Sequence, residues 1–120
     1  KKKVSHGFAN TNISKLVKQL YINQERCLKL SQLLDSESSR VLKDPPTIQN
    51  TLNDVFLVEK IEGNFISLKG RHQKNNLRLR LPLDTIKLIQ LNDYLDLILG
   101  DTSEKWVLLE SGQAYPKIKN

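Results

Sequence analysis

The stretch that most constrains this chain is Leu77-Arg78-Leu79-Arg80-Leu81-Pro82-Leu83, a run of alternating apolar and polar residues. Successive side chains of a β-strand point to opposite faces. The pattern therefore predicts Leu77, Leu79, Leu81 and Leu83 on one face and Arg78 and Arg80 on the other. A slip of one residue would bury both arginines, so the leucine row sets the register. Pro82 has no N–H to give to a sheet and belongs at an edge or at the strand's end.

The residues on either side carry the same two-residue period. Val55-Phe56-Leu57-Val58 is an apolar run of strand formers, Glu62-Gly63-Asn64 reads as a turn, and Phe65 to Lys69 as the returning strand of a hairpin. Gly70 to Asn76 is a polar, basic loop leading into the leucine strand. After it, Asp84 can cap a short helix over residues 85–90, with a further strand as the alternative. Asn92-Asp93 is a turn signal, and Tyr94 to Leu99 reads as a fourth strand with Leu95, Leu97 and Leu99 inward. Gly100 to Ser103 turns the chain, and Lys105 to Leu109 reads as a fifth strand. Phe56 and Phe65 are both assigned to the core.

Upstream the period is helical. Residues 1–11 read as a basic flexible arm, because Gly7, Asn10, Thr11 and Asn12 discourage regular structure. Asn12 is a cap for an amphipathic helix beginning at Ile13, and residues 12–44 form a helical appendage. Ile13, Leu20, Cys27 and Leu34 fall on one heptad line, with Leu16 and Leu30 on the next and Asn23 interrupting. That spacing fits a coiled coil, in which Ile13, Leu16, Leu20, Leu30 and Leu34 meet a second copy or a partner protein. It fits equally a helix packed on its own domain. Asp35-Ser36-Glu37-Ser38-Ser39 is expected to break the helix, and Pro45-Pro46 to end it.

Together these elements predict an α+β chain: a long amphipathic N-terminal helix followed by a small five-stranded antiparallel β-barrel over residues 53–112, with a basic tail at 113–120. Three strands, a short helix and two strands is an order that resembles the OB barrel. An SH3-like barrel is the alternative and requires strand or loop over residues 85–90. So small a barrel buries too little surface to be stable by a wide margin. The helix is expected either to plug one of its ends or to form a dimer seam.

The formal net charge is +6 and unevenly placed. Residues 1–43 carry nine Lys/Arg against three acids, residues 69–80 five bases and no acid, and residues 84–110 six acids against two bases. A polarised basic surface favours polyanionic partners. Lys69, Arg71, Lys74, Arg78 and Arg80 are the candidate nucleic-acid-binding residues, on the strands that form the usual polymer-binding face of the OB barrels this order resembles. Aromatic residues make up 6% of the chain, which points to phosphate-backbone contact with low sequence specificity rather than base stacking. Duplex or structured RNA suits such a face.

The alternative is a protein–protein interaction or oligomerisation module, an assembly subunit of a larger complex. Contact with an acidic membrane through the lysine arm ranks last, since the helix has no interfacial aromatic but Tyr21.

Catalysis is not expected. His6 and His72 have no sequence partner, and there is no zinc, calcium or P-loop pattern, so no cofactor and no metal are expected. Cys27 is the single cysteine, which excludes an intrachain disulfide and fits a reduced, cytoplasmic setting; at its apolar position it reads as a core residue. The absence of methionine, even at the first position, points to a processed product or a piece of a longer chain.

Overall fold

A computed structural model describes the backbone of residues 2–117 and the side chains of residues 18 and 20–117. The elements are α1 (Lys2–Lys43), β1 (Asn50–Glu62), β2 (Phe65–Gly70), β3 (Asn76–Arg80), α2 (Leu83–Ile86), β4 (Tyr94–Asp101) and β5 (Trp106–Tyr115). The chain is α+β, one long helix followed by a five-stranded sheet closed on itself in the order β1-β2-β3-β5-β4.

The sheet is mixed rather than antiparallel throughout. Four of its pairings are antiparallel, and β3 meets β5 in parallel, with Leu79 opposite Trp106. Parity is the reason. An odd number of strands cannot alternate direction all the way round a ring, so at least one adjacent pair must run in parallel.

β1 holds the ring together. Asn50 to Leu57 pairs with β4, and Phe56 to Glu62 pairs with β2. The register shifts between Val58 and Lys60, and a bulge there bends the strand from one neighbour to the other. β1 and β2 join through Gly63-Asn64, where Gly63 has φ +59°, a value at which a side chain would be strained.

The inner face follows the alternation. Phe56, Val58, Ile66, Leu68, Leu79, Leu81, Leu95, Leu97 and Leu99 are buried. Leu77 is half-buried, but Leu83 departs from the expected row and is 54% exposed. Pro82 ends the strand before it, and Leu83 opens α2 instead. Ile86 and Ile89, three residues apart, turn into the core.

α1 departs from expectation in three ways. It begins at Lys2, not Ile13, so residues 2–11 are helical rather than an arm. One Gly costs a helix only about 1 kcal/mol and Asn less, which the remaining turns absorb. It also runs unbroken through Asp35–Ser39. There the Ser38 hydroxyl donates to the Asp35 carbonyl, and Arg40 pairs with Glu37 one turn back at 2.7 Å. Leu30 and Leu34, offered above as partner contacts, are buried against this chain's own sheet together with Cys27. Leu20 is 62% exposed, while the side chains of Ile13 and Leu16 lie outside the described residues. The helix does end at Lys43, ahead of Pro45-Pro46.

Polar contacts fix α1 on the sheet. The Ala114 N–H donates to the Ser31 hydroxyl at 3.1 Å. The Arg26 guanidinium donates to both carboxylate oxygens of Asp93, at 2.6 and 2.8 Å, and to the Leu88 carbonyl at 2.9 Å. Among the described residues, no helix is long and apolar enough to cross a membrane.

Candidate functional site

The register of β2 and β3 decides what the leucine strand presents. Ile66 lies opposite Leu79 and Leu68 opposite Leu77, facing the core. The outer face then carries Phe65 opposite Arg80, Ser67 opposite Arg78, and Lys69 opposite Asn76. Phe65 is therefore an outer residue and not a core one, because it alternates with the buried Ile66. Phe56 is fully buried as expected. The Arg78 guanidinium carbon lies 4.2 Å from the centroid of the Phe65 ring, a diagonal cross-strand contact. That contact holds the cation over an aromatic face.

Arg78 and Arg80 are both exposed. Among the described residues the ion pairs are Arg26–Asp93 and Arg40–Glu37, the His72 ring meets Asp54, and none of these contacts uses either arginine. Two acids of the fourth strand region lie apart from them. Asp93 is held by Arg26, and the Asp96 carboxylate lies over Gly112.

Of the remaining sequence candidates, Lys69 shares this face but Arg71 and Lys74 do not. Lys69 is half-buried, and its ammonium donates to the Gln73 carbonyl, bracing the loop. Arg71 lines a groove beside β1 and β4, whereas Lys74 lines a hollow on the other side, with His72 and Asn76.

Asp54 shapes the basic loop from below. It is buried, and its carboxylate accepts the backbone N–H groups of His72 and Val55, at 2.8 and 2.7 Å. The His72 ring Nδ1 stands 3.1 Å from the same carboxylate, so this histidine has a partner that sequence spacing did not reveal. Burial works to raise the Asp54 pKa, but the hydrogen bonds from His72 and Val55 outweigh it and hold the group below the usual carboxylate range. Gly70 is needed at the start of this loop. A Cβ there would stand 2.6 Å from Gln73 Cγ and 2.9 Å from Asp54 Oδ2. His6 lies outside the described side chains.

Sequence reasoning missed the company Arg80 keeps. It lines a cleft of about 290 Å³ with Arg40 of α1, Asn64 of the β1–β2 turn, Lys105 of the β4–β5 loop and Trp106 at the start of β5. Glu37, paired with Arg40, is the carboxylate in its wall. No spacing signal could have found this cluster. It depends on the parallel contact of β3 with β5 and on the helix continuing past Ser39. Among the described residues, no group of three or more His, Cys, Asp or Glu side chains is placed to hold a metal ion.

Compared with protein-family models, with curated proteins and with solved structures, the chain finds no match.

Proposed function

We propose that this chain is a non-catalytic nucleic-acid-binding module of OB-like architecture. It grips the phosphate backbone through the outer face of β2 and β3, with low sequence specificity. The observation that carries the reading is the pair Arg78 and Arg80: neighbours on one face, exposed, and free of carboxylate partners among the described residues. Guanidinium groups match phosphate geometry in a bidentate way, and stacking on Phe65 leaves the N–H edge of Arg78 available.

The architecture supports this use. The strand order β1-β2-β3-β5-β4, with a helix between β3 and β4, suits an OB barrel, and helical α2 argues against the SH3-like alternative. OB domains bind polymers across strands two and three and the loops joining strands one to two and four to five. Asn64 and Lys105 occupy those two loops here, on the rim of the Arg80 cleft.

Titrating labelled RNA and DNA at two salt concentrations tests the reading. Binding that weakens steeply with salt, and is lost in Arg78→Glu/Arg80→Glu, supports it. Salt-independent binding, or binding untouched by the double variant, overturns it.

Leu20, Tyr21, Ile22 and Leu28 are each more than half exposed on one stretch of α1, and they favour a second reading, an assembly module. A stable dimer abolished by Leu20→Asp, in a protein indifferent to nucleic acid, would replace the first reading with this one.

A further inference from the structure

One residue from each strand forms a row across the outer surface of the sheet. Asn76 pairs with Lys69, Lys69 with Leu57, Leu57 with Tyr94, and Tyr94 with Tyr115. The row therefore passes from the basic strand pair to two neighbouring tyrosines. Four of its members, Lys69, Leu57, Tyr94 and Tyr115, line a groove of about 810 Å³, within the range of ligand sites, together with Arg71 and Lys117. Tyr115 is 44% exposed and Tyr94 half-buried. Asp96, one pair further along β1 and β4, lies over Gly112 and does not line the groove.

We infer that this groove binds unpaired bases, making the module selective for single-stranded nucleic acid. The inference rests on the nucleic-acid reading above and specifies which polymer the face takes. Adjacent strands are about 4.8 Å apart, so the two tyrosines offer neighbouring platforms wider than the ~3.4 Å base spacing of a stacked strand. Bases splayed from a single strand can lie on them, whereas a duplex keeps its base faces inside its own stack. Arg71 and Lys117 are placed for the phosphates between those bases, with the charge of Lys69 beside them.

The polymer's course follows from the same register. Lys69 belongs both to the tyrosine groove and to the β2–β3 face, and Phe65 and Arg80 lie four residues away at the far end of β2, about 13 Å along the strand. A strand laid over Arg80 and Arg78 reaches the groove without leaving the sheet. The earlier expectation of duplex or structured RNA came from the scarcity of aromatics in the chain, a count that carries no information on where they gather.

The test is fluorescence anisotropy on the full chain, with labelled oligothymidine, labelled oligouridine and a labelled duplex of the same length, at one salt concentration. The single strands are expected to bind more tightly than the duplex. Tyr94→Ala and Tyr115→Ala should each weaken single-strand binding by roughly five- to one-hundred-fold and leave duplex binding nearly unchanged. Tyr94→Phe and Tyr115→Phe keep the ring and should bind as the wild type does, which separates stacking from a folding defect. Duplex binding as tight as single-strand binding, or alanine variants with wild-type affinity, overturns the inference. If Arg78→Glu/Arg80→Glu still abolishes binding in that case, the broader nucleic-acid reading survives. No binding of any nucleic acid by the wild type, with an acidic aromatic peptide bound instead and lost in the tyrosine variants, overturns both.

Discussion

Two buried ionisable groups show how single residues hold the surface in place. Asp54 keeps its charge through hydrogen bonds from His72 in the loop above it and from its neighbour Val55, so loop and charge depend on each other. Its folded pKa lies below the unfolded value of about 3.9, so its contribution is complete above that pH and is lost as pH falls through the lowered folded value. Urea unfolding between about pH 6 and about pH 3 should show a larger loss of stability in the wild type than in Asp54→Asn, which has no such proton to take up. Equal losses would mean that Asp54 is not linked to folding. Arg26 is the second group. Its hydrogen bonds to Asp93 raise its pKa, against the opposing effect of burial. Arg26→Met leaves the Asp93 carboxylate buried without its partner and should cost about 3–5 kcal/mol in denaturant unfolding. Neither pair was legible in the sequence. Asp93 read as a turn residue and Arg26 as one base in a helix, and 67 residues separate them.

At the level of elements, the two-residue period carried most of the fold, because inward and outward faces of a half-buried strand obey one rule. It was enough to place Leu79 and Leu81 inside and Arg78 and Arg80 outside. It failed at Leu83, where Pro82 ends the strand before the apolar row does. The mixed sheet was implicit in the element count, since five strands cannot close in strict antiparallel order. The helical period of α1 was equally visible, but heptad spacing is blind to what covers it. Leu30 and Leu34 turned out to be covered by the sheet, and Leu20 and Leu28 were left outside it. The two groups should respond differently to truncation. Leu34→Ala removes a fully enclosed side chain and should cost about 2–5 kcal/mol by urea unfolding. Leu20→Ala should stay within about 0.5 kcal/mol, as an exposed substitution does. A large loss at Leu20 would mean that the helix has a partner even in the isolated protein, and that loss would vary with protein concentration.

Across the whole molecule, charge is sorted by surface. The outer face of β2 and β3 carries bases, and acids concentrate on β4 and the segments flanking it. Sequence order foreshadowed this sorting, because bases and acids occupy separate stretches. The sequence could not indicate which distant residues would join each surface, since Arg40, Lys105 and Tyr115 reach the basic side only through helix packing and ring closure. The sorting can be read thermodynamically. Each phosphate neutralised on a single strand contributes about 0.7 to the slope of log K against log salt. Arg78→Gln/Arg80→Gln removes two such contacts without introducing repulsion, so the slope should become shallower by about 1.4. Glu110→Gln, at an exposed position of β5 opposite Ile98, shifts net charge by one unit in the opposite direction and touches no basic residue of the face. Its slope should match that of the wild type. Anisotropy across a salt series separates the two outcomes. Equal slopes in all three proteins would mean that the paired guanidinium groups hold no phosphate, whereas a steeper slope in Glu110→Gln would mean that overall charge, and not this face, attracts the polymer.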